Sequence, residues 1–193
     1  MTTKTLYIIS GCNGAGKTTA SYTILPDIWQ CNEFVNADEI AKGLSPLNPE
    51  SVAIEAGRLM LKRIETLLHS DKTFSIESTL ATKSYKNLIE RAQDKGYKVK
   101  LLFFWLDSPQ TAIERVAQRV REGGHSIPSD IIVRRYYAGI KNLFNIYMNC
   151  VDYWVLANNT NGSSEYIAEG EKGTNPNIFD LETYNKVLHY VRG

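Results

Sequence analysis

The sequence predicts an α/β fold, a three-layer sandwich with a mostly parallel five-stranded sheet and a C-terminal hairpin, and three observations predict it. Short apolar runs alternate along the chain with stretches of helical periodicity. The gaps between those runs are long enough for helical crossovers, which parallel strands need and which pack back on a sheet with right-handed chirality. The segment Gly11-Cys12-Asn13-Gly14-Ala15-Gly16-Lys17-Thr18 fits G-x-x-x-x-G-K-[ST] and lies between the first apolar run and the first helical one, the context in which that pattern has mechanical meaning.

Each element follows in order. Leu6-Tyr7-Ile8-Ile9 reads as a buried first strand, and Thr18 to Ile24 as the opening turns of a helix. Glu33 to Val35 is a short second strand. Ala56, Met60, Ile64, Leu67 and Leu68 form one face of a helix from about Pro49 to Ser70, before a third strand at Phe74 to Ile76. Tyr85, Leu88, Ile89 and Ala92 repeat the helical spacing ahead of Gly96, a suitable C-cap. Val99 to Leu106 is the fourth strand. Ser108 as N-cap and Pro109 in the first turn start a helix whose core face is expected to be Ile113, Val116, Ala117 and Val120. Tyr153 to Ala157 is the fifth strand. Asn161-Gly162 suits a hairpin turn leading to an extra strand near Tyr166 to Ala168, and a terminal helix runs from about Leu181 to Val191.

The glycine-rich segment specifies a P-loop NTPase fold. Its glycines let successive backbone N–H groups point inward at an anion, and the helix N-terminus adds partial positive charge. Gly11, Asn13, Gly14, Ala15, Gly16, Lys17, Thr18 and Thr19 are therefore the expected nucleotide site, with Lys17 reaching the β- and γ-phosphates and the Thr18 hydroxyl ligating Mg²⁺. No Asn-Lys-x-Asp guanine signature occurs, which argues against a GTPase.

Composition narrows the class. The 193 residues, 43% hydrophobic and 22% charged, suffice for one well-buried core, so residues 1–193 are expected to form a single domain; the arginines at about 115–135 mark a lid within it. Twenty-two basic and 21 acidic residues nearly cancel, which gives no bulk argument for nucleic acid or membrane as partners. Cys12, Cys31 and Cys150 are widely spaced without a zinc-type pair, consistent with free thiols in the cytoplasm. The N-terminus lacks a signal-peptide pattern, and no apolar run reaches membrane-spanning length.

In a doubly wound sheet, ligands bind beyond the carboxyl ends of the strands, so the polar residues ending each strand matter most. Asp38 follows the second strand in Asn36-Ala37-Asp38-Glu39; it can accept a proton from a substrate hydroxyl attacking the γ-phosphate, or merely cap the helix at Glu39 to Gly43. Glu77 ends the third strand in Ile76-Glu77-Ser78-Thr79. It can hold Mg²⁺ through water or hold a substrate hydroxyl, and Thr79 can bind substrate or, with Ser78, cap the next helix. Asp107 superficially resembles a Walker B aspartate, yet Ser108-Pro109 beside it points to local capping.

Five of the nine arginines, Arg115, Arg119, Arg121, Arg134 and Arg135, fall in a 21-residue stretch around Gly123-Gly124-His125. Helical spacing sets Arg115 and Arg119 away from the expected apolar face, towards solvent. As a mobile lid, such a segment could neutralise charge on a transferred phosphoryl group and exclude water. His125 reads as an exposed loop residue.

Together Gly11 to Thr18, Phe34-Val35-Asn36-Ala37-Asp38-Glu39-Ile40, Glu77-Ser78-Thr79 and the stretch Arg119 to Tyr136 resemble the zeta-toxin family of P-loop kinases, in particular its stand-alone branch. The resemblance implies an ATP- and Mg²⁺-dependent transfer of the γ-phosphate to a small-molecule hydroxyl, in characterised zeta toxins the 3′-hydroxyl of UDP-N-acetylglucosamine, and a small helical antitoxin as protein partner. It implies Lys17 and Thr18 on nucleotide and metal, Asp38 as catalytic carboxylate, Glu77 and Thr79 near a nucleotide sugar, and Arg119 and Arg135 as the arginines that meet phosphate. The loop Gly123-Gly124-His125-Ser126-Ile127-Pro128 is shorter than the corresponding toxin segment. Two alternatives remain at this level: a kinase for another hydroxyl, as in the related chloramphenicol phosphotransferases, and a non-enzymatic protein whose lid closes on ATP to bind a partner.

Overall fold

A computed structural model describes residues 3–192. Its centre is a seven-stranded sheet in the order β2-β3-β1-β4-β5-β6-β7. Strand β1 (Thr5–Gly11) is buried along its whole length between β3 (Phe74–Ser78) and β4 (Lys98–Trp105), both parallel to it. A strand covered on both faces must be apolar at nearly every position, which is why this one reads as a continuous run. Outside them lie β2 (Phe34–Val35) and β5 (Tyr153–Asn158), also parallel to their neighbours.

The sheet has seven strands where five and one hairpin strand are expected: β6 (Glu165–Glu171) runs antiparallel to β5, and β7 (Asn177–Ile178) adds an edge pair too short to leave a period-two pattern. The expected helix from Pro49 to Ser70 begins as a 3₁₀ turn at Pro49–Val52, with Pro49 in its first turn, and becomes helix α3 (Ala53–His69) only beyond it.

The remaining helices are α1 (Lys17–Thr23), extended by a π turn at Ile24–Ile28, α2 (Ala37–Leu44), α4 (Tyr85–Asp94), α5 (Pro109–Arg121), α6 (Ser129–Asn145) and α7 (Leu181–Arg192). The core face of α5 differs from expectation: Ala112 and Val116 are buried, Ile113 partly so, and Ala117 and Val120 are exposed. The helix is rotated towards the phosphate loop, since Gly14 packs against Ala112 and Arg115. Helix α6 buries Ile132, Tyr136, Ile140 and Leu143 at four- and three-residue spacing, and the Tyr136 hydroxyl donates to Leu106 O at 2.7 Å. Among the described residues no helix is long and apolar enough to cross a membrane.

This order puts the chain reversal at β1. From β1 the chain passes to β2 and β3 on one side and then to β4 and β5 on the other, and the cleft at the carboxyl end of β1 is where such sheets bind ligands.

Candidate active site

The phosphate loop begins where β1 ends. Gly14 and Gly16 take φ of 79° and 82°, conformations that side chains with a Cβ rarely adopt. At Gly16 a Cβ would stand 2.6 Å from Asn159 Nδ2. That contact is a clasp: Asn159 Nδ2 donates to Ala15 O at 2.8 Å, Asn159 N donates to Trp105 O at 2.9 Å, and Ser164 Oγ donates to Asn159 Oδ1 at 3.1 Å. The turn after β5 thus holds the loop from one side. Arg115 braces the other, donating to Thr160 O at 2.7 Å and more weakly to Gly14 O at 3.4 Å. Helical spacing alone sets Arg115 and Arg119 towards solvent; both are instead half-buried beside the loop, because the rotation of α5 turns their face to it. No acidic residue occupies the first turn of α1, so the positive helix end is left to an anion. Cys12 is buried within the loop, and burial pushes its thiol up to about 11, which leaves it protonated and inert.

Glu77 joins the loop to β3. Lys17 Nζ donates to Cys12 O at 2.9 Å and lies 3.7 Å from Glu77 Oε1, with side chains only 8% and 9% exposed. Thr18 Oγ1 donates to Glu77 Oε2 at 2.7 Å, and Asn36 Nδ2 donates to the same oxygen at 2.9 Å. The Thr18 hydroxyl and the Glu77 carboxylate are hard oxygen donors side by side. That set fits Mg²⁺, which commonly takes one or two protein oxygens and completes its octahedron with phosphate and water. Among the described residues no group of three or more His, Cys, Asp or Glu could hold a metal by itself.

Asp38 sits at the same rim, and the capping alternative for it is filled by a neighbour. Asn36 is the N-cap of α2, its Oδ1 accepting from Asp38 N at 2.8 Å. The Asp38 side chain, 49% exposed, is therefore free to face the cleft it lines with Lys17, Glu77, Thr79 and Arg135. Thr79 lines that cleft too, although its hydroxyl accepts a long bond from Ala81 N at 3.4 Å and Ser78 Oγ accepts from Leu80 N at 3.0 Å. Asp107 serves the start of α5: its Oδ1 accepts from Thr111 Oγ1 at 2.5 Å, while Ser108 Oγ accepts from Thr111 N at 3.1 Å.

The arginine-rich segment is not one long loop. Helix α5 runs to Arg121, Gly123 turns left-handed at φ 90°, and α6 starts at Ser129. Arg119 lines the cleft with the loop, its Nη2 donating to His125 O at 3.1 Å, and its buried Nε has no partner among the described residues. Arg135 Nη1 donates to Asn13 Oδ1 at 3.3 Å. The other two do not join them: Arg121 donates to Gln118, and Arg134 is exposed at the rim of a second cavity.

His125 departs from expectation. Its side chain is only 14% exposed, and Nε2 lies 3.8 Å from Asp38 Oδ2. Burial pushes the imidazole below its usual pKa, and Arg119 adds to that, against the opposing pull of the Asp38 carboxylate. The sequence offers Gly123-Gly124 as a sign of a tight turn here, but nothing local that aims the ring at α2. The second cavity, about 330 Å³, opens beside Asp38 and His125 and is walled by Ala41, Pro49, Ala53, Ile127 and Ile131.

The family model described as Zeta toxin matches residues 2–166. An uncharacterized protein of Haemophilus influenzae is 31% identical over 126 residues, or 65% of this chain and 88% of that one. Among solved structures, the AvrRxo1-ORF1:AvrRxo1-ORF2 complex with ATP superposes with a TM-score of 0.74 at 19% identity, over 96% of this chain and 63% of that chain. This chain thus spans a little under two thirds of the AvrRxo1 chain it matches. The PezAT toxin-antitoxin system of Streptococcus pneumoniae superposes with a TM-score of 0.68 at 17% identity, over 100% of this chain and 80% of that one. At such identities these structures bear on the fold, which they share.

Proposed function

The chain belongs to the zeta toxin family, and on that premise we propose that it is an ATP-dependent kinase that passes the γ-phosphoryl group to a hydroxyl of a small molecule. The observation that carries this reading is the free carboxylate of Asp38 in one cleft with Lys17, Glu77 and Arg135. Backbone N–H groups from Asn13 to Thr19 would hold the phosphate chain, and Lys17, with three donors, would reach the β- and γ-oxygens. Asp38 takes the hydroxyl proton as the oxygen attacks phosphorus; the new O–P bond forms, the bridging bond to the β-phosphate breaks, and ADP leaves. Arg119 and Arg135 meet the charge spread over the transferred group. Thr18 and Glu77 would hold Mg²⁺, which neutralises phosphate charge when bound.

For the acceptor we propose the 3′-hydroxyl of UDP-N-acetylglucosamine, on the strength of family membership, with Glu77 and Thr79 near the sugar nucleotide. A second reading, a less polar alcohol of the chloramphenicol type, is favoured by the largely apolar cavity beside Asp38. A small antitoxin protein is the proposed partner, since PezAT is a toxin-antitoxin system and AvrRxo1-ORF1 was solved with AvrRxo1-ORF2. Incubation with γ-labelled ATP, Mg²⁺ and a panel of nucleotide sugars and aromatic alcohols, read by mass spectrometry, tests the reading. A phosphorylated sugar nucleotide absent with Lys17→Ala and Asp38→Asn supports the first acceptor; a phosphorylated alcohol supports the second; ADP release unaffected by either substitution refutes the kinase site.

A further inference from the structure

His125 stands between Asp38 and Arg119, yet neither nucleotide binding nor hydroxyl activation requires a histidine there. We infer that His125 is a positioning residue that fixes the Asp38 carboxylate and couples its orientation to Arg119. The inference rests on Asp38 being the base of the proposed kinase.

The backbone delivers the ring to one place. Gly124 N donates to Arg119 O at 2.8 Å, and a Cβ on Gly124 would lie 2.7 Å from Arg119 Cγ and 2.9 Å from Arg119 O. The chain therefore passes flat against Arg119 before His125, with no room for a side chain. From there the ring reaches α2 and is largely buried in doing so. Nε2 ends 3.5 Å from Arg119 Nη2 and 3.8 Å from Asp38 Oδ2, while Arg119 Nη2 also bonds His125 O. Glu50, Arg134 and Arg135 line the same cavity as the ring, and the charge of Lys42 on α2 also acts on it.

The chemistry of the three groups makes the arrangement directional. A guanidinium only donates and a carboxylate only accepts, but a neutral imidazole nitrogen does either, according to its tautomer. With Nε2 unprotonated, the ring accepts from Arg119. With Nε2–H, it donates to Asp38 Oδ2 and leaves Oδ1 for the substrate hydroxyl. An Arg119 that turns to a phosphoryl group releases Nε2, and tautomer exchange through solvent then lets the ring hold Asp38. The base is thus oriented most firmly when the arginine is on phosphate, which favours transfer over idle proton exchange.

The test is a double-mutant cycle in the full chain, measuring ADP release from MgATP with water as acceptor. His125→Ala is expected to lower kcat by about tenfold or more while leaving KM for MgATP and the thermal midpoint unchanged. His125→Gln, whose amide N–H can still donate to Asp38, is expected to recover most of the loss and guards against a misfolded alanine variant. On an Asp38→Asn background, His125→Ala is expected to cost nothing further, because the group it orients is gone. Fully additive losses, or a rise in KM with unchanged kcat, would overturn the inference and give His125 a role in the loop or the nucleotide site. Parent-level turnover by Asp38→Asn alone would remove the base itself, and the inference with it.

Discussion

The two sides of the cleft are built by different means. On the sheet side, Lys17, Thr18, Asn36 and Glu77 are tied to one another and Asn159 clasps the loop from behind, with Lys17, Asn36 and Asn159 buried. On the helical side, Arg119, His125 and Arg135 come from α5, the short turn after it and α6, joined by longer contacts of 3.1–3.8 Å and leaving Arg119 Nε unpaired among the described residues. A nucleotide needs a phosphate cradle formed in advance, which dense bonding provides. A group that must follow the migrating charge needs freedom to change partners, and sparse bonding provides that.

Substitutions can break or sharpen this contrast. Lys17→Ala strikes the densest point, and ADP release in a coupled assay should fall by about a thousandfold or more. Asp38→Asn keeps the cradle, so nucleotide affinity by titration calorimetry should be unchanged while transfer drops about a hundredfold to a thousandfold. Arg119→Ala should lower kcat by at least about tenfold without moving the denaturant midpoint, because its bonds are few; a clear loss of stability would erase the distinction between the two sides. Asn159→Ala should do the reverse, costing roughly 1–3 kcal/mol in urea unfolding as Ala15 O loses its donor, with the chemistry of bound nucleotide little altered.

The smallest effect is on pH. Burial holds the His125 pKa below the ordinary 6.5, so the unfolded chain binds more protons in the window beneath that value. Stability should therefore fall as pH drops below about 6.5, levelling off once the folded-state pKa is passed. His125→Gln should flatten that slope in thermal melts; an unchanged slope would mean the ring is not the source.

How much was legible in the sequence follows the same divide. The loop was readable because its glycines, Lys17 and Thr18 are contiguous and their geometry is local. Asp38 and Glu77 were readable one step further, since strand ends share a rim in this fold class. Helix α6 is legible in the four- and three-residue spacing of Ile132, Tyr136, Ile140 and Leu143, a signal that the arginine-based reading of this segment as a lid leaves unused. The buried face of α5 is not legible, as periodicity gives a helix but not the rotation that packing on Gly14 imposes. The aim of His125 and the clasp by Asn159 depend on partners 87 and 144 positions away, a distance over which residue type carries no signal.

That last separation has a consequence for how the protein comes to life on the ribosome. The glycine-rich motif is synthesised before the amide that braces it, which belongs to the turn between β5 and β6, 144 positions further along. A nascent chain thus carries the signature of a nucleotide site long before it owns the bracing for one. The motif is translated well before it is completed.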